Sequence, residues 1–213
     1  MARRPLTKER VLRAAVELAD RDGLDALSMR RLGHELRVEA MSLYNHVANK
    51  NAILAGIVEL VVGEIELPAN AGGWRTAIRT CALSAHETLL RHPWACSLIL
   101  SAPGISTARI GYMNWLLGQF REAGFPADLT YHGYHAVDGH IFGFTHWELG
   151  HNAIDSADVA AFVTDFLPTL PPDEYPYFLE HVQQHLDGGL GGNAFELGLD
   201  LILDGLERLR KTA

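Results

Sequence analysis

Residues 27–54 read LSMRRLGHELRVEAMSLYNHVANKNAIL, and their spacing decides the fold. Ser28 is placed to cap a short helix that turns Leu32 and Leu36 inward. Gly33 sits in its middle, where glycine costs about 0.5–1 kcal/mol relative to alanine. Either another helix approaches closely there or the glycine is a tolerated surface residue, and the pattern alone weighs the two evenly. Arg37-Val38-Glu39 interrupts the periodicity. A third short helix over about 40–46 then buries Leu43 and Val47 and leaves Ser42, Tyr44, Asn45 and His46 mostly outward. Asn49 can cap a long fourth helix, striped by Ile53, Leu54, Ile57, Val58, Val61, Val62 and Ile65 until Pro68 and Ala71-Gly72-Gly73 break it.

Upstream, Thr7 is a plausible N-cap for a helix carrying Val11, Leu12, Ala15, Leu18 and Ala19, and Gly23 is expected to end it in a left-handed C-cap. Two short helices joined by a tight turn over 28–47, behind a supporting helix, have the form of a helix-turn-helix. The third helix is narrow enough for a major groove, and its open face offers donors, an aromatic ring and a small hydroxyl. On spacing alone an ordinary three-helix packing unit remains the stronger reading. Further helices are expected over 74–92, 106–123, 128–151, 158–167, 173–187 and 193–211, separated by proline and glycine clusters. The fold class is therefore all-α.

Composition limits what such a chain does. Its 213 residues carry a net charge of −8, with +3 on residues 1–50 and −11 on residues 51–213. A basic end on an acidic body suits contact of that end with phosphates, although a +3 segment alone carries little weight. Cys81 and Cys96 lack metal or redox spacing and read as buried thiols in a reducing compartment. No apolar run approaches the roughly 18 residues of a membrane span, and no signal-peptide core follows the basic start, so the expected location is the cytoplasm. No GxSxG, Walker, Rossmann or zinc motif is present, which leaves catalysis little support.

The Leu43-Tyr44 pair, His46-Val47, and Asn49-Lys50 opening a helix with Ile53-Leu54 resemble the DNA-binding domain of the tetracycline-repressor (TetR) family. The order of elements beyond, with Leu67-Pro68 and Trp74 opening a helix, is similar to the branch with a tetracycline-repressor-like C-terminal domain. The resemblance is strong over 7–66 and weak beyond. It implies an N-terminal three-helix DNA-binding domain at 1–49 and a ligand-binding and dimerisation domain at 50–213, with 50–66 as the connecting helix. Three departures stand out. Arg37 occupies the turn position where the family commonly has glycine, a costly choice if the left-handed geometry is kept. Met41 replaces a frequent proline. SLILSAPG at 97–104 replaces the histidine and threonine that help hold drug-bound magnesium in that branch, so no metal or other cofactor is expected.

Carried over position by position, the resemblance assigns the DNA-binding residues. Arg30 reaches a phosphate or guanine edge, Ser42 and Tyr44 contact phosphates, and Asn45 and His46 face the groove. Ala40 and Met41 are placed to touch thymine methyls, and Lys50 at a helix N-terminus fits a phosphate clamp. Arg3 and Arg4 read as a solvated terminus or a flexible arm. The resemblance also implies that helices 128–151 and 193–211 pair with their symmetry mates. Phe195, Leu199, Ile202, Leu203 and Leu206 share one face of the last helix, and Gly198 and Gly205 allow close contact. Simple intrachain burial is the alternative. One small domain reads one half-site, which favours a homodimer on a palindromic operator.

YHGYHAVDGHIFGFTHWELGH at 131–151 holds five histidines, at 132, 135, 140, 146 and 151. His140, Phe144, Trp147 and His151 share a helix face and, with His86 and Trp115, are candidates to line a small-molecule effector site, with Trp94 and Phe120 as further contributors. Structural or interface roles compete with that reading. His132 and His135, at i and i+3, leave a helical metal-binding enzyme as another, and Asp138 near His135 and His140 reads as a coincidence of spacing. The expected protein is a cytoplasmic, homodimeric repressor that binds double-stranded DNA without membrane contact and is released by an effector. A metal-binding enzyme and a helical interaction module without DNA binding are the alternatives.

Overall fold

The computed structural model describes residues 5–69, 72–101, 106–153, 156–187 and 194–212, and every element among them is helical. Arg3, Arg4, Ala71 and the end of the SLILSAPG stretch lie outside the described residues. Helix α1 (Lys8–Asp22) starts where Thr7 accepts a hydrogen bond from the Arg10 amide at 3.2 Å. Helix α2 (Met29–Leu36) starts the same way, Ser28 accepting from Arg31 at 3.2 Å. Helix α4 (Lys50–Val62) starts with Asn49 accepting from Ala52 at 2.9 Å. Each side chain satisfies one of the orphan amides of a first turn, which is why Ser, Thr and Asn mark these starts in the sequence.

Several expectations need correction. Gly23 has φ 80° but ψ 163°, so it ends α1 in an extended glycine conformation and not in the left-handed helical region. Helix α3 closes after one turn (Ala40–Leu43), and residues 44–46 continue as turns. Helix α4 ends at Val62 and not at 66, and Ile65 enters the core from the turn beyond.

Two apolar cores follow along the chain. Val11, Leu18, Leu27, Leu32, Leu36, Leu43, Val47, Ile53 and Ile57 form the first. The second gathers Val58, Val61 and Val62 of α4 with residues from four longer helices: α5 (Trp74–Arg91), α7 (Thr107–Glu122), α8 (Ala127–Asn152) and α11 (Ala194–Thr212). Helix α4 thus presents one end to each core. Trp94 and Leu98 of α6 (Pro93–Ser101) pack against both.

Phe195, Leu199, Leu203 and Leu206 of α11 are buried and Ile202 is half-buried, as their spacing requires. A Cβ on Gly198 would meet the His140 ring, whereas one on Gly205 would approach only Arg208 of its own helix, so only the first glycine permits close packing within the protomer. Helix α9 (Ser156–Ala161) passes into a wider turn over Phe162–Phe166 and then a tight one over Leu167–Thr169, in place of the single helix expected over 158–167. Helix α10 (Pro176–Leu186) follows, and none of the described residues from 157 to 187 is buried. Both cysteines are buried free thiols. No helix among the described residues is long and apolar enough to cross a membrane.

Candidate nucleic-acid interface and effector body

The turn between α2 and α3 sets the reading surface. A Cβ on Gly33 would stand 2.9 Å from the Val38 carbonyl oxygen and 3.2 Å from the Ala40 amide nitrogen. The close approach is therefore real, and backbone makes it: the chain folds back onto α2 and launches α3 from there. Arg37 keeps the left-handed geometry, φ 55° and ψ 44°, and its amide reaches His34 O at 3.0 Å. That conformation costs a non-glycine residue about 1–2 kcal/mol. Val38 N then donates to Gly33 O at 2.9 Å, closing the end of the helix.

Leu43 and Val47, four residues apart, are buried and anchor the segment. Met41, at 74% exposure, and Tyr44, at 46%, are the exposed large hydrophobic residues of this region among the described residues. Asn45 is exposed, and Ala40, Ser42 and His46 are half-buried. Arg31 is engaged by Asp22, and Arg21 by Asp22 and Glu35. Arg30 and Lys50 are exposed and carry no ion pair among the described residues. Lys50 is the first residue of α4, where free amides and the helix dipole favour an anion.

In the body, five of the six expected lining residues come together. The His86 ring stacks on Phe195 with centroids 3.9 Å apart. The Thr145 hydroxyl donates to Ile141 O at 2.5 Å and lies 2.8 Å from His86 Nδ1, while His86 Nε2 lies 3.4 Å from Glu148 Oε2. Burial pushes the His86 imidazole down, and Glu148 opposes the shift. His140, Phe144, Trp147 and His151 form a chain of ring contacts along α8 with centroids 5.5, 5.4 and 5.3 Å apart. His140 Nε2 donates to Phe195 O at 2.8 Å. Trp115, on α7, joins none of these ring contacts and packs against the second core, as Phe144 does.

A second polar group in the body was not legible in the sequence. Arg109 Nη2 of α7 donates to Asp138 Oδ2 of α8 at 2.5 Å, and both side chains are 14% exposed. The Tyr134 hydroxyl donates to the same oxygen at 3.2 Å. The guanidinium carbon lies 5.0 Å from the Tyr112 ring centroid and 4.6 Å from that of Phe142. Burial, reinforced by Asp138, pushes the Tyr112 and Tyr134 phenols up and the Cys81 thiol up to about 12. Asp138 thus finds its partner on another helix, 29 residues away in sequence, and not in the neighbouring histidines.

Two contacts tie the first region to the body. Asp20 Oδ1 of α1 accepts from Trp94 Nε1 at 2.6 Å and lies 2.8 Å from His92 Nδ1. Glu64 Oε2 lies 3.3 Å from His92 Nε2 and accepts from Arg91 at 3.0 Å. In addition, Glu59 Oε1 of α4 accepts from the Ala108 amide in the first turn of α7 at 2.9 Å.

Residues 11–57 match the family described as bacterial regulatory proteins, tetR family, and residues 67–210 match the tetracyclin repressor-like C-terminal domain. The chain belongs to the TetR family. A HTH-type transcriptional regulator of Saccharopolyspora erythraea is 32% identical over 203 residues, 94% of this chain and 84% of its own length. The HTH-type transcriptional repressor DrrR1 of Streptomyces coeruleorubidus is 31% identical, covering 96% of this chain and 78% of its own length. The TetR family protein ActR of Streptomyces coelicolor, solved in complex with actinorhodin, superposes with a TM-score of 0.78 at 27% identity over 95% of this chain and 96% of that one.

As a TetR-family chain it is a DNA-binding transcription regulator and not an enzyme. That removes the catalytic alternative built on His132 and His135. Both histidines are exposed and contact the Tyr131 ring, with centroids 5.4 and 4.5 Å away. Among the described residues no group of three His, Cys, Asp or Glu is placed to hold a metal ion.

Proposed function

We propose that the chain is a cytoplasmic homodimeric repressor that holds a palindromic operator and releases it when a small molecule occupies the body. Residues 1–49 form the reading head and 50–213 the effector and pairing body. The carrying observation is α3: Leu43 and Val47 lock it down while Met41, Tyr44 and Asn45 stand free. Met41 and Ala40 meet thymine methyls, Asn45 and His46 read base edges, and Ser42, Tyr44, Arg30 and Lys50 hold phosphates. A DNA surface explains why a methionine and a tyrosine stay exposed there.

Pairing draws support from α11 and α8. Leu197, Leu201 and Leu209 are exposed on α11 at four- and eight-residue spacing, with Gly205 open between them. Gly139 and Gly143 are open on α8 beside exposed Tyr131 and Trp147. Two such faces from each protomer make a four-helix interface. The relatives named a repressor and crystallised with a small molecule support release by an effector. We place the effector against α8, near His86, His140 and Phe144, with Trp147 and His151 at the exposed end and Trp115 outside the group. Binding shifts the population toward a spacing of the two reading heads that no longer fits successive grooves, and it does so only through different affinities for the two states.

Selection of operators from a random duplex pool by the purified dimer tests this reading. A palindrome should emerge and bind far above random duplex. Lys50→Ala should then weaken all sequences about equally and lower the salt slope by about 1. Met41→Ala should instead change which bases are preferred. A dimer with no preference for any palindrome at moderate ionic strength would sink the reading.

A further inference from the structure

His92 is a single side chain at which the head, the connecting helix and the body meet. It ends α5, its amide donating to Thr88 O at 3.1 Å, and Pro93 opens α6 directly after it. Its Nδ1 lies 2.8 Å from Asp20 Oδ1 of α1, and its Nε2 lies 3.3 Å from Glu64 Oε2 in the turn that follows α4. The side chain is only 10% exposed, so the two carboxylates, and not bulk water, are the partners of its nitrogens.

A neutral imidazole has one N–H and one lone pair. Between two carboxylates it donates to one and turns its lone pair toward the other, an oxygen with no proton to give. Only the imidazolium, with two N–H groups, donates to both. Each carboxylate oxygen also has a donor that keeps its form near neutral pH. Trp94 Nε1 serves Asp20 at 2.6 Å, and Arg91 Nη2 serves Glu64 at 3.0 Å. Those bonds hold the two acceptors in place whichever form the ring takes.

We propose that His92 is a proton-operated clasp between the reading head and the body. With two ring protons it holds α1 and the end of α4 to the corner of α5 and α6. With one it keeps the shorter contact, to Asp20, and releases Glu64. The extra contact is therefore present on the acid side and lost as pH rises through the range in which histidine changes charge. The other ties across this join, Trp94 to Asp20 and the Ala108 amide to Glu59, have donors that do not titrate there. The charged groups around the ring are Asp20 on α1, Glu64 after α4 and Arg91 on α5, and α6 carries none. Glu17 of α1 and Glu59 of α4 line the surface groove of about 470 Å³ beside Glu64, with Arg13, which pairs with Glu9. A clasped head is ordered before it meets DNA, so operator binding loses less freedom. That consequence rests on the reading of the head as the part that holds the operator.

The test uses full-length wild type, His92→Gln and Glu64→Gln at pH 5.5, 7.0 and 8.5. Gln at 92 has an amide donor and no proton to gain. Gln at 64 offers an amide N–H to the lone pair of the neutral ring, which is then satisfied on both sides. Wild type should melt about 3–6 °C above His92→Gln at pH 5.5 and within about 1 °C of it at pH 8.5. Glu64→Gln should melt at or above wild type at pH 8.5 and below it at pH 5.5. By fluorescence anisotropy on the selected operator, wild type should bind about 5-fold more tightly than His92→Gln at pH 5.5 and equally at pH 8.5. Taking that ratio cancels the titration of His34 and His46 in the head, which both proteins share. A melting gap or an operator ratio that stays constant with pH would make the contact a fixed pair and overturn the clasp. So would a Glu64→Gln protein with the wild-type pH profile, and that comparison decides alone if His92→Gln does not fold. Absence of any specific operator for all three proteins would sink the repressor reading, while the melting profiles would still decide the clasp.

Discussion

The reading head and the body solve opposite problems. In the head, three helix starts are each capped by the residue just before them, the ion pairs that join α1 to α2 lie at the surface, and Met41, Tyr44 and Asn45 point outward. In the body, Ser106 caps α7 in the same local way, but the buried polar groups pair across helices. Arg109 meets Asp138 from α7 to α8, and His86 meets Thr145 from α5 to α8. A surface that reads a polymer can be built from neighbours in sequence. A site that encloses a small molecule has to be assembled from distant ones.

The largest effect should come from the tightest point of the head. Gly33→Val would place a branched side chain where even a Cβ stands 2.9 Å from a backbone carbonyl. The turn and α3 must move, so operator binding should fall by more than about 100-fold and the head should lose about 1–3 kcal/mol. Anisotropy with the selected operator and a thermal melt check both. Near-normal binding would mean that the α2–α3 angle does not set the reading surface, and the contrast between head and body would weaken.

The join between the two regions should show a smaller and different effect. Trp94→Phe keeps the ring's packing and removes the bond to Asp20 Oδ1. One hydrogen bond to a carboxylate at a partly exposed site is worth about 1 kcal/mol. If this contact transmits effector binding to α1, the ratio of operator affinity without and with effector should shrink about 3- to 10-fold, with effector affinity itself little changed. A titration that moves operator affinity and effector affinity together, with the ratio intact, would make the contact merely structural.

The same contrast explains what the sequence revealed. Thr7, Ser28 and Asn49 announce helix starts because their side chains bond amides three residues on, and Leu43 and Val47 fix the facing of α3 by their four-residue spacing. Neither signal needs a distant partner. Helix α7 has the first signal, with Ser106 accepting from the Arg109 amide at 3.1 Å, but not the second: Ile110, Met113, Trp115, Leu116, Leu117 and Phe120 spread around its circumference, so periodicity does not say which residue faces α8. Trp115 is expected in the ring group and makes none of its ring contacts, while Arg109, which meets Asp138 of α8, carries no mark in the sequence. The nearness of Asp138 to His135 and His140 is the coincidence its spacing suggests, and its partner Arg109, on another helix, is not visible in sequence. Gly33 lay between these cases: the sequence showed that it needed an explanation without supplying the carbonyl that provides one.

The smallest effect concerns a position where the head departs from its own family. Arg37 holds φ 55°, a region that suits glycine. Arg37→Gly relieves about 1–2 kcal/mol of local strain in the folded head but loosens the unfolded chain by about 0.4–1 kcal/mol, so a net gain of roughly 0.5–1 kcal/mol is expected. Denaturant titration of the dimer should show the midpoint rise. Operator affinity should hold if Arg37 serves only the turn and drop with a smaller salt slope if its guanidinium also reaches a phosphate. Either result sharpens the comparison, because it tells whether this part of the head keeps an unfavourable backbone for the sake of a charge at the DNA surface.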